Sequence, residues 1–138
     1  MPLLRERLNA GQQVRFAPMG TSMLPMLHPG RDSVKLQAVS GPLKKYDLPF
    51  YQRPDGAYVL HRVVRTGAQY LCAGDNQFQT EPVAPEQIIA KVISFTRNGR
   101  ECSVDVFSYR LYCRAWHATR LPRRLWRALR ARIRRGSA

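Results

Sequence analysis

The spacing of apolar residues changes twice along this chain. In residues 3–9, Leu4 and Leu8 fall on one helical face with Arg5, Glu6 and Arg7 between them, and Gly11 follows. That spacing predicts a short amphipathic helix ended by glycine. From residue 13 to about 106 the period shortens to two. Gln13–Ala17 alternates around Val14 and Phe16, and Arg31–Val39 through Val34 and Leu36. Tyr46–Gln52 is a third candidate strand, interrupted by Pro49, and Ala57–Arg65 is the clearest strand of all. Gln69–Ala73 and Gln87–Thr96 follow, with Glu81–Pro85 between them as a proline-bounded loop. Pro54-Asp55-Gly56 and Asn98-Gly99 have the composition of hairpin turns, the second returning Glu101–Val106 along its neighbour. Beyond residue 106 the period lengthens again. Phe107, Leu111, Tyr112, Cys113 and Trp116 predict a helix over 107–118. Leu121, Leu125, Leu129 and Ile133 then recur every four residues, with Trp126 widening the stripe and Pro122 in a first turn that tolerates it. This is a second, strongly amphipathic helix.

These elements predict a mainly β fold: a compact antiparallel β domain with a short N-terminal helix and C-terminal amphipathic helices. Its natural division is 1–106 as the β domain and 107–138 as a basic helical extension. A length of 138 residues excludes large barrels and two-domain dinucleotide folds, and ten Pro with nine Gly suit short strands joined by turns. The net charge of +14 is uneven, because residues 106–138 carry ten arginines and no acid. Any catalytic chemistry and the excess charge therefore belong to different segments. Cys72, Cys102 and Cys113 are too few and too widely spaced for a disulfide framework or a zinc site, and no metal or cofactor is expected. With no membrane-length apolar run and no secretory leader pattern at the start, the expectation is a cytoplasmic chain, at most peripheral to a membrane.

Three residues could carry chemistry. Ser22 lies in Gly20-Thr-Ser-Met-Leu-Pro25, a tight bend in which Gly20 permits unusual backbone angles and Pro25 restrains the exit. A serine held this way presents Oγ while neighbouring backbone N–H groups converge where an oxyanion would form. His61 interrupts the apolar alternation of Tyr58–Val64, and a neutral imidazole is a suitable base for a serine hydroxyl near neutral pH. Asp75, in Gly74-Asp-Asn76, can orient a histidine or pair with an arginine. Arg62 competes with His61 for it, and strand geometry sends those two neighbours to opposite faces. Taken singly, each has an ordinary reading: a turn serine, a satisfied strand histidine, a turn-capping aspartate. His28, in a Pro-Gly turn, and His117, among arginines, are weaker candidates.

Taken together and in order, these segments resemble a known family. Phe16-Ala-Pro-Met-Gly-Thr-Ser-Met-Leu-Pro-Met-Leu27, with His28-Pro-Gly-Arg-Asp32, is similar to the nucleophile box of the signal-peptidase-like serine peptidases, a group that includes the self-cleaving repressor peptidases. Val59-Leu-His-Arg-Val-Val64 resembles the box carrying the general base, and Leu71-Cys-Ala-Gly-Asp-Asn76 the third box. With the strand after them they cover roughly residues 12–97. The resemblance implies a signal-peptidase-like β fold, Ser22 as nucleophile, His61 as base in the position where many bacterial members use lysine, Asp75 as the acidic supporting residue, and Gly74 as the turn glycine. Gly20 and Thr21 stand where bacterial signal peptidases carry Ser-Gly. The oxyanion would then fall to backbone N–H groups, chiefly that of Ser22, with Thr21 as helper. A further acid follows the third box in histidine-type members, and Glu81 is the nearest candidate. Tyr46-Asp47 replaces the usual Gly-Asp, and the family's membrane anchor is not expected here. The implied activity is cleavage of an extended peptide or protein precursor by acyl transfer without a cofactor, with Met23, Leu24 and Leu60 lining shallow pockets.

Two other readings compete: a non-catalytic binding or scaffold protein on the same fold, and, less favoured, a nucleic-acid-binding protein. Arg123, Arg124, Arg127, Arg130, Arg134 and Arg135 would supply phosphate affinity, yet no recognition motif or aromatic platform accompanies them. For the basic helix itself, packing of its stripe on the domain or a partner protein competes with contact to an anionic membrane surface.

Overall fold

A computed structural model describes residues 2–136. Helix α1 (Pro2–Asn9) buries Leu4 and Leu8 and leaves Leu3 outside. It ends in a paired C-terminal motif around Gly11, whose φ of 80° is costly for other residues: Gly11 N–H bonds the Leu8 carbonyl at 3.0 Å and Gln12 N–H that of Arg7 at 3.0 Å.

Strands β1 (Val14–Phe16), β2 (Ser33–Gln37), β3 (Pro49–Gln52) and β4 (Tyr58–Leu60) join β8 (Ile88–Arg97) in an antiparallel sheet of order β1-β2-β8-β3-β4. Strand β9 (Arg100–Ser103) pairs with the far half of β8 across the Asn98-Gly99 turn. A second antiparallel sheet contains β5 (Arg62–Arg65), β6 (Tyr70–Ala73) and β7 (Glu81–Val83). Helices α2 (Phe107–Ala118) and α3 (Arg120–Gly136) follow. The antiparallel strands and the helices at both ends agree with the periodicity. Tyr46 falls outside β3, at a φ of 78°, and the strand starts at Pro49, an end position where the missing N–H does least harm.

Side-chain alternation builds two cores. On the β3–β4 ribbon, Phe50 and Leu60 face one core, and Tyr51 and Val59 the other. The first core gathers Val34, Leu36, Val92 and Phe95 beneath Leu4 and Leu8 of α1 and Tyr109 and Cys113 of α2. Here the inward positions of β8 step by three, from Val92 to Phe95. Lys35 pairs with Ser94 and Leu36 with Val92, so Ile93 is a bulge that resets the alternation.

Two predicted elements differ further in kind. Ala57–Arg65 is not one strand: β4 ends at Leu60, β5 begins at Arg62, and His61 is the step between the two sheets. Residues 59–63 are all buried, which a strand with one wet face cannot achieve, so the chain here passes between two layers. The Glu81–Pro85 loop contains β7, whose Glu81, Pro82 and Val83 pair with Cys72, Leu71 and Tyr70. Pro82 is accommodated at the edge of the three-stranded sheet.

Candidate active site

The nucleophile-like segment between β1 and β2 is a bend closed by its own backbone. Leu24 N–H bonds the Thr21 carbonyl at 3.2 Å and Leu27 N–H that of Met23 at 3.0 Å. In a four-residue turn closed this way the two central N–H groups, here those of Ser22 and Met23, take no part in the closing bond. Gly20 enters the bend at a φ of 87°. Asp32 closes the far side: its buried carboxylate accepts from His28 N–H at 2.8 Å and from Asn98 N–H at 3.0 Å. Arg31 binds it through both oxygens, and that hydrogen bonding holds the Asp32 carboxyl well below the usual carboxylate range.

The 74–76 turn backs this bend. Asn76 N–H bonds the Ser22 carbonyl at 2.8 Å, and the Asn76 side chain donates to the Thr21 carbonyl at 3.3 Å. A Cβ on Gly74 would collide with the Ser22 carbonyl and sit 2.9 Å from Ser22 Cβ. No flexible side-chain tip is available there to yield. Gly74→Ala is therefore expected to push Ser22 out of place and lower any Ser22-dependent rate by about 10²-fold. Rate and melting curves measured together would show the rate falling far more than stability; an unchanged rate would contradict the tight backing.

Ser22 and His61 line one cleft of about 380 Å³, with Phe16, Pro18, Met23 and Leu60 among its walls. Leu24, expected beside them, lies outside it, as does Thr21. Among the described residues no hydrogen bond joins Ser22 to His61. His61 is buried, and its Nδ1 lies 3.2 Å from Glu81 Oε1 and 3.3 Å from Tyr51 Oη. Tyr51 donates to the same Glu81 oxygen at 2.6 Å, and Arg53 grips both carboxylate oxygens at 2.8 and 2.9 Å. Among the described residues no fully buried side-chain nitrogen or oxygen lacks a partner. His61 Nε2 has no bonding partner and therefore keeps some exposure, and His61 is among the residues that line the cleft.

The electrostatics favour a neutral imidazole. Burial pushes His61 below the ordinary histidine range, against the opposing pull of Glu81. Burial would raise the Glu81 carboxyl, but hydrogen bonds from Arg53 and Tyr51 outweigh it and hold Glu81 lowered and ionised. An ionised carboxylate 3.2 Å from Nδ1 favours the tautomer that carries its proton there, which makes Nε2 the basic nitrogen.

Asp75 serves the other neighbour. Arg62 Nε and Nη2 bind its two carboxylate oxygens at 2.8 and 3.0 Å, so the partner left open by the sequence is Arg62. The carboxylate at His61 belongs to Glu81, and Asp75 does not complete a Ser-His-Asp hydrogen-bonded chain. Their partners are the reason: Arg62 reaches Tyr109 and Cys113 on the side where Asp75 lies, whereas His61 reaches Tyr51 and Glu81. Arg62 also donates to the Tyr46 carbonyl, Tyr109 Oη and Cys113 Sγ. Tyr112 Oη donates to Asp75 at 3.0 Å, and Trp116 Nε1 to the Asp75 carbonyl at 2.8 Å. Burial opposes the Arg62 charge, but the Asp75 carboxylate outweighs it and raises the guanidinium well above its usual range. The pair thus locks α2 onto the turn that backs Ser22.

Tyr51 and Arg53 carried no motif, yet the hairpin register contained Tyr51. The Pro54-Asp55-Gly56 turn pairs Tyr51 with Val59. His61, two residues on and on the same side, is then the diagonal neighbour of Tyr51. His28 contributes its backbone N–H to the Asp32 loop, and His117 stacks edge-on against Tyr46 outside the cleft.

No family model matches the chain, and no curated protein matches it in sequence.

Proposed function

We propose that this chain is a serine endopeptidase with Ser22 as nucleophile and His61 as general base, on a fold of the signal-peptidase-like kind. The observation that carries the proposal is the shared cleft. It is lined by a serine on a backbone-closed bend and by a buried imidazole whose Nδ1 lies 3.2 Å from a carboxylate; in the proposed arrangement Nε2 faces the serine. In the proposed reaction Nε2 takes the Ser22 proton as Oγ adds to a peptide carbonyl. The imidazolium is stabilised through Nδ1–H by Glu81, which Arg53 and Tyr51 hold in place. The N–H groups of Ser22 and Met23 meet the oxyanion, and loss of one such donor typically costs about 3 kcal/mol of barrier stabilisation. Nε2 returns the proton to the leaving amine, and water releases the acyl group by the reverse sequence. Catalytic hydrogen bonds commonly tighten only when substrate is bound, which fits a Ser22–His61 pair that shares a cleft without a direct bond. The apolar walls Phe16, Met23 and Leu60 suit an extended peptide with small or apolar side chains near the cut.

Incubation of the purified chain with a diverse peptide library, read by mass spectrometry, tests this. New termini sharing a common local sequence support it. Peptides retained by the protein but left uncut would instead support the binding-protein reading.

The Glu81 arm gives a second test. Glu81→Gln removes the charge that raises His61, so the imidazole loses its proton at lower pH. The acid limb of kcat/KM is expected to move to lower pH, while the rate on the plateau falls about 10²–10⁴-fold as orientation and imidazolium stabilisation are lost. An acid limb that stays in place would show that Glu81 does not act on the base.

A further inference from the structure

Helix α3 docks the wrong way round for a globular protein. Its attachment is cationic. Arg120 donates to the Phe78 carbonyl, Arg123 lies 3.5 Å from the Trp116 ring centroid and donates to the Trp116 carbonyl at 2.6 Å, and Arg127 donates to Asn76 Oδ1 at 2.9 Å and lies over the Phe78 ring. Positions 120, 123 and 127 share one helical face. The apolar stripe lies on the opposite side: Leu121 and Leu125 are each 63% exposed, Trp126 60% and Leu129 50%. An amphipathic helix ordinarily buries that stripe.

We propose that α3 is a membrane-surface helix that lays this stripe into the headgroup region of an anionic lipid bilayer and holds the domain there. Charge complementarity selects the occupant. By helical spacing Arg124 and Arg135 border one side of the stripe and Arg130 the other, Arg132 falls on the stripe's own face beyond Leu129, and residues 106–138 contain no acid to offset them. Arginines flanking an apolar stripe extend their charge to lipid phosphates while the stem and the stripe enter the apolar boundary. A second copy of the chain would set one arginine border against another. The domain itself cannot cover the stripe, because the docked arginines hold the opposite face against it. Nucleic acid would satisfy the charge and leave the stripe in water. Among the described residues no helix is long and apolar enough to cross a membrane, so the contact is interfacial.

The test uses full-length protein with phosphatidylcholine vesicles, with and without phosphatidylglycerol. Binding is expected only with the anionic lipid, with a blue shift in tryptophan emission that Trp126→Phe abolishes while Trp116 remains. Leu125→Ser/Leu129→Ser, which leaves every charge in place, is expected to weaken partitioning about 10²-fold. Arg124→Gln/Arg130→Gln is expected to weaken it roughly 30-fold. Should the double leucine variant lose structure by circular dichroism, Leu125→Ser alone is expected to weaken binding about 10-fold. Three outcomes would each overturn the proposal: no binding to phosphatidylglycerol vesicles, binding indifferent to the leucine changes, or a lipid-free dimer in sedimentation that the leucine changes dissolve. Vesicle binding is read without any substrate, so the result stands apart from the chemistry at Ser22.

Discussion

Ser22→Ala is expected to abolish the proposed peptide cleavage, and His61→Ala to do the same, each lowering the rate by more than about 10³-fold while the melting temperature stays near that of the wild type. In the proposed reaction Oγ forms the covalent bond to the substrate, and no other hydroxyl lies on the bend that the 74–76 turn backs except Thr21, which is outside the cleft. His61→Ala leaves Oγ in place without a base. Because the two groups act as one unit, the double variant should be little worse than either single one. The stability expectation follows from location. Ser22 is half-buried and makes its structural contacts through its backbone, which alanine preserves. His61 interacts with Glu81 and Tyr51, which remain bonded to each other after its loss, with Glu81 still held by Arg53. Cleavage retained by purified Ser22→Ala would remove Ser22 from the mechanism.

Asp75→Ala has the opposite signature, in which the fold fails first. The change strands the Arg62 guanidinium in the interior, where both members of the pair are buried. Removing one partner of a buried ion pair typically costs about 3–5 kcal/mol, equivalent to roughly 10 °C or more in the melting temperature of a domain this size. The loss should extend to α2, because Tyr112 and Trp116 both bond Asp75, and Tyr109 and Cys113 bond Arg62. Hydrogen exchange should therefore show α2 amides losing protection with the 74–76 turn. An Asp75→Ala variant as stable as the wild type, with α2 still protected, would contradict the structural role. If Asp75 instead oriented His61, its replacement would lower activity in a protein of unchanged stability.

The contrast between these two sites shows what could be read in the chain before folding. Strands and helices with a clear period were legible, as were Pro54-Asp55-Gly56 and Asn98-Gly99, because each rests on local geometry. The break at His61 was not, since a run of buried residues looks the same whether one strand is covered on both faces or the chain passes from one sheet to another. β7 was hidden by Pro82 and Pro85, which signal a loop, although Pro82 is harmless at a sheet edge and Pro85 lies beyond the strand. At the candidate site, Ser22 and His61 were marked by order and composition. The choice of Asp75's partner depended on a long-range fact: Asp75 lies on the α2 side, where Tyr109, Tyr112 and Trp116 are already in place. Glu81 and Arg53 meet 28 residues apart in sequence, and no local spacing joins them. The outward stripe of α3 reverses the ordinary rule for amphipathic helices, because the arginines on its other face find aromatic rings and carbonyls that outcompete packing of the leucines.

Whether His61 acts on the group at position 22 decides the proposed chemistry, and this can be measured without knowing a substrate. In Ser22→Cys a thiol occupies the place of the hydroxyl, and its alkylation by iodoacetamide reports how readily it gives up a proton. Peptide mapping separates the introduced thiol from Cys72, whose thiol burial pushes up to about 12, and from Cys102 and buried Cys113. If His61 is the base, the introduced thiol reacts at and below neutral pH as a thiolate paired with imidazolium. Adding His61→Ala then returns it to the profile of a free thiol near about 8.5, roughly 10-fold or more slower at about pH 6.5. If the introduced thiol titrates as a free thiol with His61 present, and its profile is the same without it, the imidazole does not serve position 22 and the peptidase mechanism is wrong.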